Sequence, residues 1–282
     1  MNVSGSGPVV LRIVLGAELR RLRELADITP QQAAREIGAS ESKISRMERG
    51  RNALKYDDVA ELLFFYGVRD ETAREELLSL ARRANQHGWW HSYNDVLPDW
   101  FQPYVGLEAA AQRIRSYEAH YIPGLLQSPD YAAAVIALDG FPPEEVERRV
   151  GLRHARQRRF LEGAVRLWAI VDEAALRRRF GDTDVMRGQL EDLAAAAKLP
   201  NLTLQVNPFT SGGHTALNGF AILRFPDRQM TDVIYVEQLT NALYLDKRED
   251  IDAYTLVMDR LSVISASPAD SVDIINRIRD DL

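Results

Sequence analysis

The chain has 282 residues, of which 46% are hydrophobic and 27% charged, with a formal net charge of −6. That length suits about two domains, each able to bury a core. It holds no cysteine, which excludes disulfides, thiolate metal sites and a cysteine nucleophile and fits a reducing cytoplasm. No apolar run approaches membrane-spanning length. The lead-in Met1-Asn2-Val3-Ser4-Gly5-Ser6-Gly7-Pro8 lacks the basic start of a signal peptide.

Residues 1–10 read as a flexible N-terminus. Over 11–26, Leu11, Leu15, Leu19, Leu22 and Ala26 recur at helical spacing. Thr29 is a good N-cap, and Pro30 sits at the first helical position, where its missing N–H costs nothing. Ala33, Ala34 and Ile37 then form an apolar stripe, with small residues where two helices come close. Gly38 can take the left-handed conformation that ends a helix. Ser40 caps the next segment, in which Ile44 and Met47 face inward. Glu41, Ser42, Lys43, Ser45, Arg46 and Arg49 are left facing out. After Arg49-Gly50-Arg51, a helix over Tyr56–Tyr66 carries Val59, Leu62, Leu63 and Phe65. Five short helices in residues 11–85 predict a compact all-α domain.

Two short helices joined by a tight turn, the second rich in Ser, Glu, Lys and Arg, have the grammar of a DNA-reading helix-turn-helix. Arg46 could fork onto guanine or clamp a phosphate, Glu41 could accept from cytosine N4, and Ser42 could bond several bases. Lys43, Arg49 and Arg51 read as phosphate contacts, which position without specifying. Thr29, Gln31, Gln32, Ser40 and Ser45 complete the expected DNA-binding set. For this helix alone, a solvated polar face is the competing reading. Charge is unevenly spread: residues 11–55 hold ten basic and six acidic side chains, whereas 86–282 hold 21 and 28. The basic excess is local to the segment that needs it. An acidic second domain would weaken nonspecific binding, so dimerisation is expected as the route to affinity.

This first stretch resembles the Xre-type, phage-repressor-like helix-turn-helix family. The resemblance rests on Leu19-Arg20-x-Leu22-Arg23, Ile28-Thr29, Ala33-Ala34, Ile37-Gly38, Ser42-Lys43-Ile44-Ser45-Arg46-Met47-Glu48 and Gly50-Arg51. It implies a regulator that reads the major groove of double-stranded DNA, as a homodimer on an inverted repeat. The family usually has Gln directly after the Thr, where it bonds a phosphate. Here Pro30 stands in that place, so the contact falls to Gln31 or Gln32, or is missing.

Beyond residue 85 the composition shifts. Residues 86–106, with Trp89, Trp90, Trp100, Phe101 and Tyr104, read as an aromatic connector, either packed internally or forming a dimer or ligand surface. From 107 to 282 a mixed α+β domain is expected. Helices are predicted over 107–119, from Ser128-Pro129 onward, and over 143–161, 172–180, 185–197, 251–264 and 271–282. Strands are predicted over 165–171, 202–206, 219–225 and 233–238, the last two joined through Pro226-Asp227. The arginine run in 143–161 could bind phosphates or form a solvated face paired with Glu144, Glu145 and Glu147.

This second part resembles a C-terminal domain of unknown function that follows Xre-type helices in many actinobacterial regulators. The matching residues are Tyr117-Glu118, Ile122-Pro123-Gly124-Leu125-Leu126-Gln127, Tyr131-Ala132, Arg153-x-x-Arg156-Gln157, Asp172-Glu173-Ala174-Ala175-Leu176, Gln189-Leu190, Leu204-Gln205-Val206, Gly219-Phe220 and Tyr235-Val236-Glu237. The resemblance implies a cytoplasmic, nucleoid-associated regulator, often encoded beside a small acidic partner protein. It brings no ligand and no chemistry.

Candidate ligand or partner contacts are Tyr121, Arg153, Arg156, His214 and Glu237. Ser211-Gly212-Gly213-His214-Thr215 could cradle an anion or be a plain surface loop; it lacks the lysine and helix of a P-loop. Glu237 ends an apolar strand and could orient a ribose, act as a base or pair with an arginine such as Arg224. His87 and His91 are four apart, but no third metal ligand is evident. No nucleophile has its own base. The chain is therefore expected to be no enzyme and to need neither metal nor cofactor. Two further readings stand beside the regulator: the antitoxin-like half of a two-protein module, and a DNA-targeted nucleotide-handling enzyme.

Overall fold

The computed structural model describes residues 7–50, 54–86, 88–163, 165–213, 216, 218–226 and 230–282. The chain divides into two compact units, one of residues up to Ser92 with Gln102–Ala110, the other of Tyr93–Phe101 with Ala111–Leu282.

The first unit is all-helical. Its elements are α1 (Pro8–Leu25), α2 (Pro30–Glu36), α3 (Glu41–Glu48), α4 (Tyr56–Phe65), α5 (Glu71–Ala84) and α6 (Gln102–Ala110), with a 3-10 turn at Trp89–Tyr93. Five helices had been expected by residue 85, and five stand there among the described residues. α1 begins earlier than the 11–26 periodicity predicts. Of the expected flexible lead-in, residues 1–6 lie outside the described residues. Pro8–Val10 are helical, because Pro8 serves as the first helical residue and Val9 and Val10 are buried. The expected connector 86–106 is divided between the units. Within the first, α6 packs on α1, with Gly106 so close to Val9 that a Cβ would collide with its side chain. Trp90 is buried there. Gly16 plays the same part where α1 crosses α3: a Cβ would run into the backbone carbonyls of Met47 and Glu48. Leu15, Leu19, Ala33, Ala34, Ile44, Met47, Val59, Leu62 and Leu63 fill the core.

The second unit is built on a six-stranded sheet in the order β3-β2-β1-β4-β5-β6. In chain order these are β1 (Arg113–Glu118), α7 (Pro129–Ala137), α8 (Pro143–Leu161), β2 (Arg166–Asp172), α9 (Glu173–Arg177), α10 (Thr183–Ala196), β3 (Leu202–Asn207), β4 (Phe220–Arg224), β5 (Val233–Glu237), β6 (Ala242–Leu245), α11 (Arg248–Ile264) and α12 (Pro268–Asp280). β1, β2 and β3 run parallel, joined by helical crossovers. β4, β5 and β6 are antiparallel neighbours. Met258 and Leu261 of α11 close one sheet face over Tyr117, Ile170, Phe220, Ile222, Ile234 and Val236. The mixed α+β class holds.

Two elements depart from the sequence reading. The helix predicted over 107–119 ends at Ala110, and Arg113–Glu118 is the central strand β1. The run Glu108–Gln112 carries helical propensity into it, but pairing with β2 on one side and β4 on the other decides the conformation. β6 had not been expected. It is a short edge strand that exists by pairing with β5, from Ile234↔Leu245 to Glu237↔Ala242.

Candidate nucleic-acid interface

Local chemistry positions the second helix of the motif. Thr29 forms a full capping box: its Oγ1 accepts from the Gln32 N–H at 3.2 Å, and its own N–H donates to Gln32 Oε1 at 2.8 Å. Gly38 takes φ +58°, as a chain reversal there requires. Ser40 then caps α3, its Oγ accepting from the Lys43 N–H at 3.2 Å. Ile44 and Met47, each 1% exposed, seat α3 on the core. Glu41, Ser42, Arg46 and Arg49 are exposed beside Gln31 and Gln32 of α2.

Not all of the expected outward face is equally available. Lys43 and Ser45 are half-buried. The Lys43 ammonium lies 2.6 Å from Asp58 Oδ2 in the first turn of α4. Arg49 folds back on its own helix, donating from Nε to the Ser45 carbonyl at 3.0 Å and from its guanidinium to the Ser45 hydroxyl. Gln32 gives its amide oxygen to the capping box, so the amide nitrogens of Gln31 and Gln32, both exposed, remain the candidate donors for the missing phosphate contact. Arg51 lies outside the described residues.

A buried ion pair locks this geometry. Arg23 Nε donates to Glu48 Oε1 at 2.6 Å and its terminal nitrogen to Oε2 at 3.0 Å, with side chains 8% and 9% exposed. Another Arg23 nitrogen donates to the Ile28 carbonyl at 2.9 Å. One guanidinium thus ties the end of α1, the α1–α2 turn and the end of α3. Hydrogen bonding to Glu48 raises the Arg23 pKa further. The neighbouring Tyr66 hydroxyl is pushed up, by burial first and the Glu48 charge second. Arg23 and Glu48 belong to the motif residues quoted above, but their pairing across 25 positions was invisible in sequence; nothing there pointed to Asp58.

In the second unit, Glu237 ends β5 at the same end of the sheet where Glu118 ends β1, three residues before Tyr121. Register places Glu118 beside Val171 of β2. Extending the β1–β4 pairing by one step and the β4–β5 pairing by two sets Glu118, Gly219 and Glu237 in one cross-strand row. Gly219 makes that row possible, since a Cβ there would stand 2.7 Å from Glu118 Oε2. Burial, then the charge of Glu237, pushes the Glu118 carboxyl up to about 8. Tyr235 donates to Glu237 Oε2 at 2.7 Å. Arg224, which sequence had offered as a partner for Glu237, pairs instead with Asp232 at 2.7 Å. Asp172, at the end of β2, accepts from the Tyr117 hydroxyl and the Asn207 amide, each at 3.2 Å.

Tyr121 is exposed, with its ring 5.2 Å from that of Phe180. Arg153 donates to the Gln127 side chain, and Arg156 is buried with its guanidinium 5.2 Å from the Phe101 ring. Elsewhere on α8, Arg149 meets Glu145, one of the expected acidic neighbours, and Arg148 meets Asp95, each at 2.7 Å. His214 and His87 lie outside the described residues. Gly212 of the glycine-rich loop takes φ +83°, and Ser211 donates to Asn207 Oδ1 at 2.6 Å.

An N-terminal helix-turn-helix followed by an α+β domain defines the class of helix-turn-helix proteins with an appended C-terminal domain. Residues 14–77 match the family described as a helix-turn-helix domain. Residues 101–277 match the domain of unknown function DUF5753, and the chain belongs to that family. No curated protein and no solved structure matches the chain. The helix-turn-helix match points to DNA binding. No described helix is long and apolar enough to cross a membrane.

Proposed function

We propose that this protein is a sequence-specific transcription regulator of the Xre type that reads the major groove through α3, as a homodimer on an inverted repeat in the cytoplasm. The observation that carries it is the α3 surface: Glu41, Ser42 and Arg46 stand exposed on a helix held by a capped start, a left-handed turn and the Arg23–Glu48 pair. Those side chains can read cytosine and guanine edges. The sheet end in the second domain, with Tyr121, Arg153, Glu118 and Glu237, is then the place for a small acidic partner protein or a ligand that alters DNA affinity.

This reading assigns no catalysis to the chain. Thermal-shift screening with nucleotides tests that part: stabilisation that Glu237→Gln removes would put a nucleotide-handling activity in its place. The main test is genome-wide DNA pulldown with the wild-type protein and Arg46→Ala. The expected result is a short inverted-repeat motif that the variant no longer prefers, with about 1–3 kcal/mol lost on the best site. Wild-type affinity and preference in Arg46→Ala would show that α3 does not read bases through this residue.

A further inference from the structure

Lys43 is a half-buried cation on α3. It stands three residues into the helix, on the side where a recognition helix enters the groove. Its ammonium is held 2.6 Å from Asp58, and the two side chains are 30% and 16% exposed. Asp58 is 15 residues away on a different helix, so this is a tertiary contact rather than a local surface pair. Partial burial screens it less than an exposed pair.

A lysine on a DNA-facing helix normally adds one sequence-independent phosphate contact. Here a carboxylate of the same domain already engages the ammonium that a phosphate oxygen would need. To reach the DNA backbone, Lys43 must give up or share that partner. Arg49, just past the end of α3, is restrained in a similar way, bonded back onto Ser45.

We propose that Asp58 is a positioning residue that competes with the DNA backbone for Lys43, holding down the affinity that the domain has for any duplex regardless of sequence. The inference rests on the DNA-binding reading above. It assigns to α4 a role in setting how strongly the protein dwells on random DNA, separate from which bases α3 reads.

The test is a double-mutant cycle on the full chain: wild type, Lys43→Ala, Asp58→Asn and the double variant. Binding to a random-sequence duplex is measured from low to moderate salt. Asp58→Asn is expected to bind roughly three- to tenfold tighter at low salt, with log K falling more steeply against log salt by about 0.9, the increment for one added phosphate contact. Lys43→Ala alone is expected to change the slope little. In the Lys43→Ala background, Asp58→Asn should move neither slope nor affinity beyond about twofold, the allowance for removing one negative charge near DNA.

An equal gain in both backgrounds would reduce Asp58 to a general charge effect and overturn the proposal. So would a loss of about one slope contact in Lys43→Ala, since Lys43 would then already touch a phosphate. Wild-type protein without affinity for any duplex would remove the DNA-binding reading together with this one, whereas normal wild-type binding with four equal slopes would remove this one alone. Asp58→Ser is read in parallel, because it also deletes the carboxylate but changes the first turn of α4 differently; agreement between the two variants separates the charge effect from a folding defect.

Discussion

Glu48→Gln is expected to destabilise the N-terminal domain by about 3–5 kcal/mol, because it removes the buried counter-charge of the Arg23 guanidinium and leaves only the exposed Glu24 carboxylate, 3.7 Å away. Small domains hold only about 5–15 kcal/mol in total, so the melting temperature of this unit should fall by roughly 10 °C or more. The loss reaches function through α3, since Glu48 is its last residue and Arg23 binds the α1–α2 turn at Ile28 as well. Replacing both partners by apolar residues, as in Arg23→Met with Glu48→Leu, should recover much of the loss, because removing a buried pair together is far cheaper than breaking it. Thermal unfolding followed by circular dichroism checks both variants. A Glu48→Gln loss below about 1 kcal/mol would mean that water reaches Arg23 and that the pair is effectively a surface one.

The parts of this fold legible in sequence are those with local causes. Thr29, Pro30, Gly38 and Ser40 act on backbone groups within three residues of themselves, and each stands in its expected role. Ile44 and Met47 announce their burial through helical spacing. What was hidden depends on partners far along the chain. Arg113–Glu118 carries the helical composition of its flank and becomes a strand only because two others pair with it. β6 is too short to show alternation. Lys43 reads as an open phosphate contact until α4 brings Asp58 against it. At the sheet end, Glu237 drew attention by ending an apolar strand. Its relation to Glu118 follows from register across β4 and from the missing side chain at Gly219.

That carboxyl row carries the second large effect, in the pH dependence of the C-terminal domain. Glu118 keeps its proton up to about pH 8 in the folded protein, against an ordinary value of 4.5, because burial and then Glu237 disfavour its charge. Below pH 4.5 both the folded and the unfolded forms are protonated, and Glu118 adds no pH dependence. Between pH 4.5 and about 8 the unfolded chain releases a proton that the folded one retains. The fold is then the state with more protons bound, so stability falls as pH rises through this window, by about 1 kcal/mol per pH unit from this group. Above about pH 8 the slope from Glu118 vanishes, and its full cost remains. Glu118→Gln removes that slope: the variant should match the wild type near pH 5 and exceed it by a few kcal/mol at pH 8.5. Glu237→Gln should give an intermediate profile, since it removes only the second cause. Urea midpoints for peptides covering β1 and β4, read by pulse-labelling hydrogen exchange, isolate this unit from the helical one. Parallel pH profiles for wild type and Glu118→Gln would mean that Glu118 is ionised and solvated in the folded state. The cross-strand row would then be an ordinary rim of surface carboxylates rather than a half-buried carboxyl kept neutral beside the exposed Glu237.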